Sequence, residues 1–334
     1  MTDTPHPLVG RYLTQSQLYT AAGTQPAQVL SDLFQQYCLL QPQDDLMLQK
    51  GTLAVVPAMA YVDEPTPREW PFRWSQFQMA FRQHNQIPLD NRCAVFLTLP
   101  EPADDASLRF LPIQEAGALV QCHSEASTTA AMAQLQYERP ELSRWVWLAA
   151  DSRCTLPWLR QQTTLFSEAF PNGPAAGEAM VVTEWDTVSK PNAAQLTAWA
   201  LHEVPKGHSP SKVAAIRTQV LRQAGVTEAL PPWASIIGND DFSKDQATEH
   251  YQTEVTLWPQ YQADPLWGDR APLISWAPVL GDLGLASVPF GLVMAAQRLR
   301  HPLHPLQQSH CLINSENARM VGRMEQVSSE PSSA

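Results

Sequence analysis

The sequence is short of basic residues and of glycine, and each shortage excludes a class of protein. It has 22 lysines and arginines against 33 aspartates and glutamates, a formal net charge of −11. It therefore lacks the basic surface that binding to a nucleic-acid backbone requires. Its 14 glycines form no G-x-G-x-x-G, P-loop or G-x-S-x-G pattern. Dinucleotide binding, nucleoside-triphosphate binding and serine-hydrolase activity are left without support, and we expect no cofactor.

Cysteine is also scarce, and no long apolar run occurs. The five cysteines are scattered, and none forms a C-x-x-C pair. This pattern is typical of reduced thiols and predicts neither a disulfide framework nor a zinc site. No segment approaches the roughly 20 apolar residues that span a bilayer, and residues 1–10 contain no basic segment followed by an apolar one. We therefore expect a cytoplasmic protein without a membrane partner.

Strand-like apolar runs alternate with helical patterns along most of the chain. With 44% hydrophobic residues and 11 tryptophans, the sequence can bury a large core. Several predicted strands are apolar on both faces, which favours an α/β protein with helices covering a largely parallel sheet. The predicted strands are 51–62, 93–99, 118–122, 145–150, 179–184, 196–201, 233–237, 271–276 and a hairpin of 311–314 with 319–327; the predicted helices are 26–40, 74–84, 124–135, 211–224 and 283–300.

The order of these elements divides the chain into two similar halves. Residues 1–49 are predicted to form an arm and a helix that precede the first half. The halves themselves are predicted at 50–185 and 186–327. The small, polar residues 328–334 are predicted to be a disordered tail.

The most specific motif lies at the last predicted strand of the first half. Residues 172–184 read N-G-P-A-A-G-E-A-M-V-V-T-E. This segment resembles the D-G-F-x-x-G-E-G-A-x-x-x-x-L-E segment of the β-ketoacyl synthases, which belong to the thiolase superfamily. Gly173, Gly177, Glu178 and Glu184 are in phase with that pattern.

Further stretches resemble the same family in the same order. Gly281 and Gly284 belong to G-D-L-G-L-A-S, which resembles the family's G-H-x-x-G-A-A motif and precedes a long apolar helix. Cys122 follows a predicted strand and precedes a helix, where the family places its nucleophile. Residues 145–152 resemble the strand that ends in G-G-x-E/D-S, and residues 236–241 resemble the strand that enters N-A-H-G-T.

The resemblance covers residues 50–327 and implies a fold and an assembly. The implied fold is α/β, a thiolase-like five-layered α-β-α-β-α sandwich made of two pseudo-repeated halves. The implied assembly is a dimer formed through the edge strand that carries the nucleophile. We expect a homodimer or a heterodimer.

The resemblance also places carboxylates where the family has its two catalytic histidines. The first position falls on or near Asp241 and the second on Asp282. An ionised aspartate accepts hydrogen bonds but cannot donate them to a developing enolate. Each lost donor removes about 3–4 kcal/mol of transition-state stabilisation. Residues 314–319 also lack the glycines of the family's G-F-G-G-T-N loop, so we expect no condensing activity.

The candidate residues at these positions also have structural interpretations. Cys122 is either a nucleophile activated at a helix N-terminus or an inert buried thiol. His123 is a poor base for Cys122, because consecutive helical side chains point roughly 100° apart. Asp282 either replaces a histidine or caps the helix that is predicted to begin near Leu283.

Two groups of possible ligands do not predict a metal site. Asp240, Asp241 and Asp245 lack the dense oxygen-ligand spacing of a hard-cation loop, which favours a solvated loop. The histidines at 301, 304 and 310, together with Cys311, match no ordinary zinc spacing and are separated by prolines.

The leading functional hypothesis is a non-catalytic thiolase-fold adaptor, chaperone or assembly factor that binds another protein. Small ketosynthase-like proteins of this kind resemble accessory proteins encoded near type VI secretion spikes, so a secreted effector or a secretion-system component is the expected partner. One alternative is a divergent acyltransferase or thioesterase that uses Cys122, with Asp241 or Asp282 as base. The other is a non-catalytic partner subunit of a ketosynthase heterodimer, analogous to a chain-length factor.

Overall fold

A computed structural model describes most of the chain. The described residues are 5–35, 37–42, 48–50, 53–55, 58–62, 68–162, 175–204, 210–226, 236–239, 273–302, 306–315 and 318–327. Five residues considered above lie outside these ranges: Gly173, Asp240, Asp241, Asp245 and His304.

The chain alternates strands and helices in the order that the apolar pattern indicates. The first half contains β1 (Tyr12–Thr20), α1 (Pro26–Gln35), β2 (Gln41–Pro42), β3 (Leu48–Lys50), β4 (Leu53–Val55), β5 (Ala58–Ala60), α2 (Trp70–His84), β6 (Cys93–Thr98), α3 (Asp105–Leu108), β7 (Ala118–Cys122), α4 (Glu125–Glu138), β8 (Arg144–Ser152), α5 (Leu156–Gln162) and β9 (Ala176–Asp186). The second half contains β10 (Ala194–Glu203), α6 (Pro210–Gln223), β11 (Ile236–Gly238), β12 (Leu273–Ser275), α7 (Ala277–Leu280), a 3-10 turn (Gly284–Ala286), α8 (Ser287–Leu299), β13 (Gln308–Ser315) and β14 (Ala318–Gln326).

The two halves repeat one sheet topology. The strand order is β7-β6-β8-β9-β1 in the first half and β12-β11-β13-β14-β10 in the second. In each half the first three strands are parallel, and the fourth is antiparallel to both of its neighbours. β1 and β10 pair with each other and join the halves into one sheet. This duplication confirms the predicted fold of two pseudo-repeated halves.

Alternate side chains of each strand enter different layers. In β8, Trp147 faces a central core shared with α1, α4 and α8, whereas Val146 faces a second core under α2. In β13, Ile313 faces the same central core, whereas Leu312 packs with the apolar residues of α6. Helices therefore lie outside both halves and between them, which gives the five layers α-β-α-β-α.

The longest apolar stretch of the second half forms the central helix α8. Its residues from Ser287 to Ala296 are all buried. A helix that is apolar on every side is typical of a position between packed layers. None of the described helices combines the length and the apolar character that crossing a membrane requires.

Several elements differ from the sequence prediction. Tyr12–Thr20 was predicted as part of an arm, yet it is a central strand. Its middle, Gln15-Ser-Gln17, is polar, so the apolar pattern that identifies a buried strand is missing. The predicted strand 51–62 is present as the shorter strands β4 and β5. The helix predicted from 283 begins at Ser287, after a 3-10 turn. The proposed domain boundaries stay a prediction.

Candidate functional site

The motif segments of the two halves cross at the start of β9. The Gly177 N–H group donates a hydrogen bond to the Asp282 carbonyl at 3.1 Å, and the Asp282 N–H group donates to the Ala175 carbonyl at 3.0 Å. A Cβ atom on Gly177 would lie 2.0 Å from the Leu280 carbonyl oxygen. Gly281 has a φ of +73°, a conformation that glycine adopts without strain. These glycines thus permit a backbone-to-backbone crossing.

Glu178 connects this crossing to the outer helix. Its carboxylate accepts hydrogen bonds from the Ser152 hydroxyl and from the Val62 N–H group, both at 2.8 Å. It also lies 3.2 Å from Nε of Arg73 on α2, and both side chains are 1% exposed. Burial, together with the charge of Glu178, raises the pKa of the nearby Cys154 thiol. Glu178 therefore acts as a buried anchor between the sheet and α2.

Asp282, at the second histidine position of the resemblance, belongs to an ionic cluster. Its carboxylate accepts a hydrogen bond from the Gly284 N–H group at 3.0 Å and lies 3.8 Å from Nε of Arg153. Arg153 also lies 3.5 Å from the carboxylate of Asp151, which accepts a 2.9 Å hydrogen bond from the Leu285 N–H group. Burial raises the pKa of Asp151, although Arg153 opposes that shift. The Asp282 carboxylate therefore accepts a hydrogen bond from a backbone amide and lies within ion-pair distance of a cation.

The structure does not give Asp282 the capping role considered above. The carboxylate bonds the N–H group of Gly284, which opens the 3-10 turn, whereas the regular helix begins three residues later at Ser287. Asp282 therefore forms a local turn with the backbone two residues ahead, and it caps neither the 3-10 turn nor the helix.

Cys122 ends β7, immediately before α4. Its side chain is 3% exposed. Ser124 and Ser127 cap the helix reciprocally, each hydroxyl accepting a hydrogen bond from the other residue's N–H group. Burial raises the pKa of Cys122, and hydrogen bonds from Thr128 and Ser127 only partly oppose this effect. The thiol is therefore protonated at neutral pH, unlike an activated nucleophile.

His123 does not form a pair with this thiol. Its side chain is exposed, and its Nδ1 atom lies 3.1 Å from the carbonyl oxygen of Leu99, to which it donates. Its ring is held by the end of the neighbouring strand β6. This contact gives His123 a packing role.

Cys122 and Asp282 lie in different parts of the sheet. Cys122 ends β7, whereas the Asp282 backbone pairs with Ala176 at the start of β9. β6 and β8 separate these two strands. Three strand spacings correspond to about 14 Å. Direct proton transfer from Cys122 to Asp282 is therefore incompatible with this arrangement.

Two other motif segments meet at the ends of β11 and β13. The Asn239 side chain donates a 2.8 Å hydrogen bond to the Asn314 carbonyl and accepts one from the Asn314 N–H group at 2.6 Å. Asn239 belongs to the stretch that resembles N-A-H-G-T, and Asn314 begins the stretch that replaces G-F-G-G-T-N. The structure therefore joins these segments through one asparagine side chain.

The histidines near the end of α8 have separate surroundings. The ring of His301 lies 5.2 Å from the ring of Phe34. His310 and Cys311 are buried neighbours in β13, so their side chains point to opposite faces of the sheet. Among the described residues, no three histidine, cysteine, aspartate or glutamate side chains converge on a common point for a metal.

The sequence interpretation missed the two arginines that neutralise these carboxylates. Arg73 lies on the buried face of α2 with Trp70, Trp74 and Phe77. An arginine on an apolar helix face requires a buried partner, which is the signal that could have identified it. Arg153 directly follows Asp151 and Ser152, and its position at the end of a strand was the available signal.

Several solved structures whose names include a ketosynthase resemble this chain in fold. The ishigamide ketosynthase/chain length factor gives a TM-score of 0.57 at 14% identity, over 95% of this chain and 99% of that one. The ketosynthase from module 6 of the bacillaene synthase of Bacillus subtilis 168 gives 0.56 at 8%, over 95% and 72%. The PfaC ketosynthase–chain length factor gives 0.54 at 11%, over 98% of this chain and 44% of that one.

The chain has the ketosynthase fold. The sequence identities are low enough that this likeness concerns the fold alone. No protein-family profile and no curated protein matches the sequence. The thiolase-like fold that the short motifs predict is thus confirmed over the described residues.

Proposed function

We propose that this chain is a non-catalytic protein of ketosynthase fold that acts by binding another protein, as an adaptor, chaperone or assembly factor. The observation that carries this proposal is the ionic cluster of Asp282. At a position where a condensing enzyme needs a hydrogen-bond donor, the side chain is an acceptor beside Arg153 and the Gly284 N–H group. An ionised carboxylate accepts hydrogen bonds and cannot donate one to an enolate.

The protonated thiol of Cys122 supports the same conclusion. A condensing or acyl-transferring cysteine needs its thiolate form. Burial raises the pKa of Cys122, and the neighbouring His123 bonds the Leu99 carbonyl. The divergent acyltransferase or thioesterase considered above would need a lower pKa of the Cys122 thiol and a His123 ring that is not bonded to the Leu99 carbonyl.

The reactivity of Cys122 tests this proposal. We expect iodoacetamide at pH 7.5 to label Cys122 at least about tenfold more slowly than the exposed Cys38, because the reactive thiolate is scarce. Peptide mass spectrometry measures both rates in one sample, and the buried Cys154 is the slow reference. Faster labelling of Cys122 than of Cys38, or an acyl adduct from acyl-CoA that Cys122→Ser removes, would favour the enzyme.

A surface beside Cys122 has the properties of a docking site. We define the β7–α4 surface as the sheet edge at β7 with exposed residues from both of its sides. On one side these are Leu119 and Gln121 of β7, and on the other they include Ala126, Ser127, Ala130, Ala133 and Tyr137 of α4. In the described sheet β7 is an edge strand that pairs with β6. The Leu99 N–H group donates to the Cys122 carbonyl in the parallel pairing of β6 with β7, so the backbone polar groups of Leu119 and Gln121 point to the open edge.

The helices α4 and α8 differ in how far their surfaces are buried, and this difference also supports docking on the β7–α4 surface. α8 packs on strands of both halves, and its buried residues surround it. α4 packs on β6 and β7 of its own half, and its buried residues are Thr128, Met132 and Leu135. Tyr137 is 88% exposed and Leu119 is 39% exposed. An added subunit would bury these apolar groups and complete the edge of the sheet.

A ketosynthase subunit is a specific candidate for this partner. Two similar structures are named as ketosynthase–chain length factor proteins, and this chain spans nearly all of one of them. The second candidate function is therefore that of a non-catalytic partner subunit in a ketosynthase heterodimer. The secreted effector or secretion-system component expected from the sequence resemblance stays a prediction.

Substitution of Leu119 tests the β7–α4 surface. We expect Leu119→Lys to weaken the chain's dimer, or its complex with a ketosynthase subunit, at least about tenfold, because a buried charge replaces an apolar contact. Size-exclusion chromatography with light scattering measures the assembly. Val188→Lys is the matched control, since it adds the same charge at an exposed valine on the loop after β9. Equal effects of both variants would exclude this surface.

A further inference from the structure

The residues before β1 connect the two halves. We define segment 5–11 by those seven residues. Its backbone pairs with Leu196 of β10, through the Gly10 N–H group at 2.8 Å and the Arg11 carbonyl at 3.0 Å. The Arg11 guanidinium lies over the ring of Trp145 in β8, 3.4 Å from its centre. The segment therefore contacts both halves.

His6 and Arg11 are the buried polar side chains described in this segment. His6 is 7% exposed, and its ring lies 4.6 Å from the ring of Trp199 in β10. The Leu8 N–H group donates to its Nδ1 atom at 3.3 Å, so Nδ1 carries no proton. Its Nε2 atom lies 3.2 Å from the hydroxyl of Thr129 in α4 and carries the remaining proton. The geometry therefore requires a neutral imidazole.

We propose that His6 is an acid-sensitive latch that holds segment 5–11 against α4 and β10. Protonation of Nδ1 removes the acceptor of the Leu8 N–H group. It also buries a positive charge in the apolar layer that contains Leu8 and Trp199. Both changes favour release of the segment, because water solvates the charged imidazole once the segment is released. This inference does not depend on the proposed function, since it concerns contacts within one chain.

No ionisable group described near His6 compensates its charge. Glu125 lies one helical turn before Thr129, and burial raises the pKa of Glu125 to about 7, so it is mostly neutral in acid. Cys311 lies in the same central core with a thiol pKa of about 12, which keeps it neutral as well. Arg11, in the same segment, is a cation and would oppose a second positive charge.

The direction of the pH dependence follows from the burial of His6. Burial lowers the pKa of His6 from 6.5 to about 4. The docked segment therefore binds fewer protons than the released one, so docking is strongest above pH 6.5 and is lost as the pH falls towards 4. Between pH 7.5 and 5.5 the equilibrium for release should rise about tenfold.

Hydrogen exchange of the whole chain tests the latch. We expect the protection of the amides of Val9 and Gly10, corrected for intrinsic exchange rates, to fall about tenfold between pH 7.5 and pH 5.5. In His6→Phe, which keeps a ring against Trp199 but cannot titrate, that protection should not change with pH. His6→Gln, a neutral variant with an amide donor for Thr129, provides the same comparison if the phenylalanine does not fit.

Exchange in α8, measured in the same samples, separates local release from general unfolding. Its protection should be the same at both pH values in all three proteins. The proposal is overturned if segment 5–11 of the wild-type chain stays equally protected at pH 5.5. It is also overturned if the neutral variants lose protection with acid as the wild type does.

Discussion

Arg73→Met is expected to lower the free energy of unfolding by about 3–5 kcal/mol, because it removes the buried arginine that lies against a buried carboxylate. Glu178 and Arg73 are each 1% exposed, and 3.2 Å separates the carboxylate from Nε of the arginine. The hydroxyl of Ser152 and the Val62 N–H group also bond Glu178, but neither carries a compensating charge. Urea denaturation followed by circular dichroism measures the loss.

Two further variants identify the cause of that loss. Arg82→Met, at an exposed position in the last turn of the same helix, should change stability by less than about 0.5 kcal/mol. Arg73→Met combined with Glu178→Gln should recover part of the loss, because no charge is then left buried. The assigned role of the ion pair would be contradicted if Arg73→Met lowered the free energy of unfolding by less than about 1 kcal/mol. It would also be contradicted if adding Glu178→Gln restored none of the lost stability.

The sequence identified Glu178 but not the arginine that neutralises it. The motif around Glu178 is local, so its residues can be aligned with a known pattern one by one. Its partner Arg73 lies on a helix far away in sequence, and only the packing of α2 on the sheet brings them together. The same limit applies to Asp282, whose replacement of a histidine is visible in the sequence while its contact with Arg153 is not.

The fold was predictable where burial leaves a periodic apolar pattern. The strands β6, β8 and β9 are buried along nearly their full length, and each was predicted. β1 was missed because its middle is polar, with Gln15 exposed and Ser16 and Gln17 half-buried. The position of segment 5–11 could not be predicted either, since it depends on the contact of His6 with a helix of the same half and a strand of the other.

The residues that resemble the family most closely have structural roles that do not depend on condensing activity. Gly177 permits the crossing with Leu280, Glu178 anchors α2, and Gly284 presents its N–H group to Asp282. The residues that would donate protons or carry a thiolate have different properties here, namely a carboxylate at 282 and a protonated thiol at 122. The presence of the first group without the second supports the proposed role in binding.

The crossing at Gly177 should tolerate no side chain. We expect Gly177→Ala to lower the free energy of unfolding by about 3–6 kcal/mol, because the two backbones must separate and lose buried hydrogen bonds. The new Cβ atom would lie 2.0 Å from the Leu280 carbonyl oxygen, which is backbone and cannot rotate away as a side chain would. Separation would weaken the bonds of Gly177 with Asp282 and of Asp282 with Ala175.

Gly23→Ala separates this steric effect from the general effect of replacing a glycine. Gly23 has a φ of +103°, and an added Cβ atom there would meet nothing within 4 Å. Its replacement should cost about 1–2 kcal/mol through backbone strain alone. Chemical denaturation of both variants gives the comparison. If Gly177→Ala is no more harmful than Gly23→Ala, the two halves do not depend on a close backbone crossing, and the retained glycine needs another explanation.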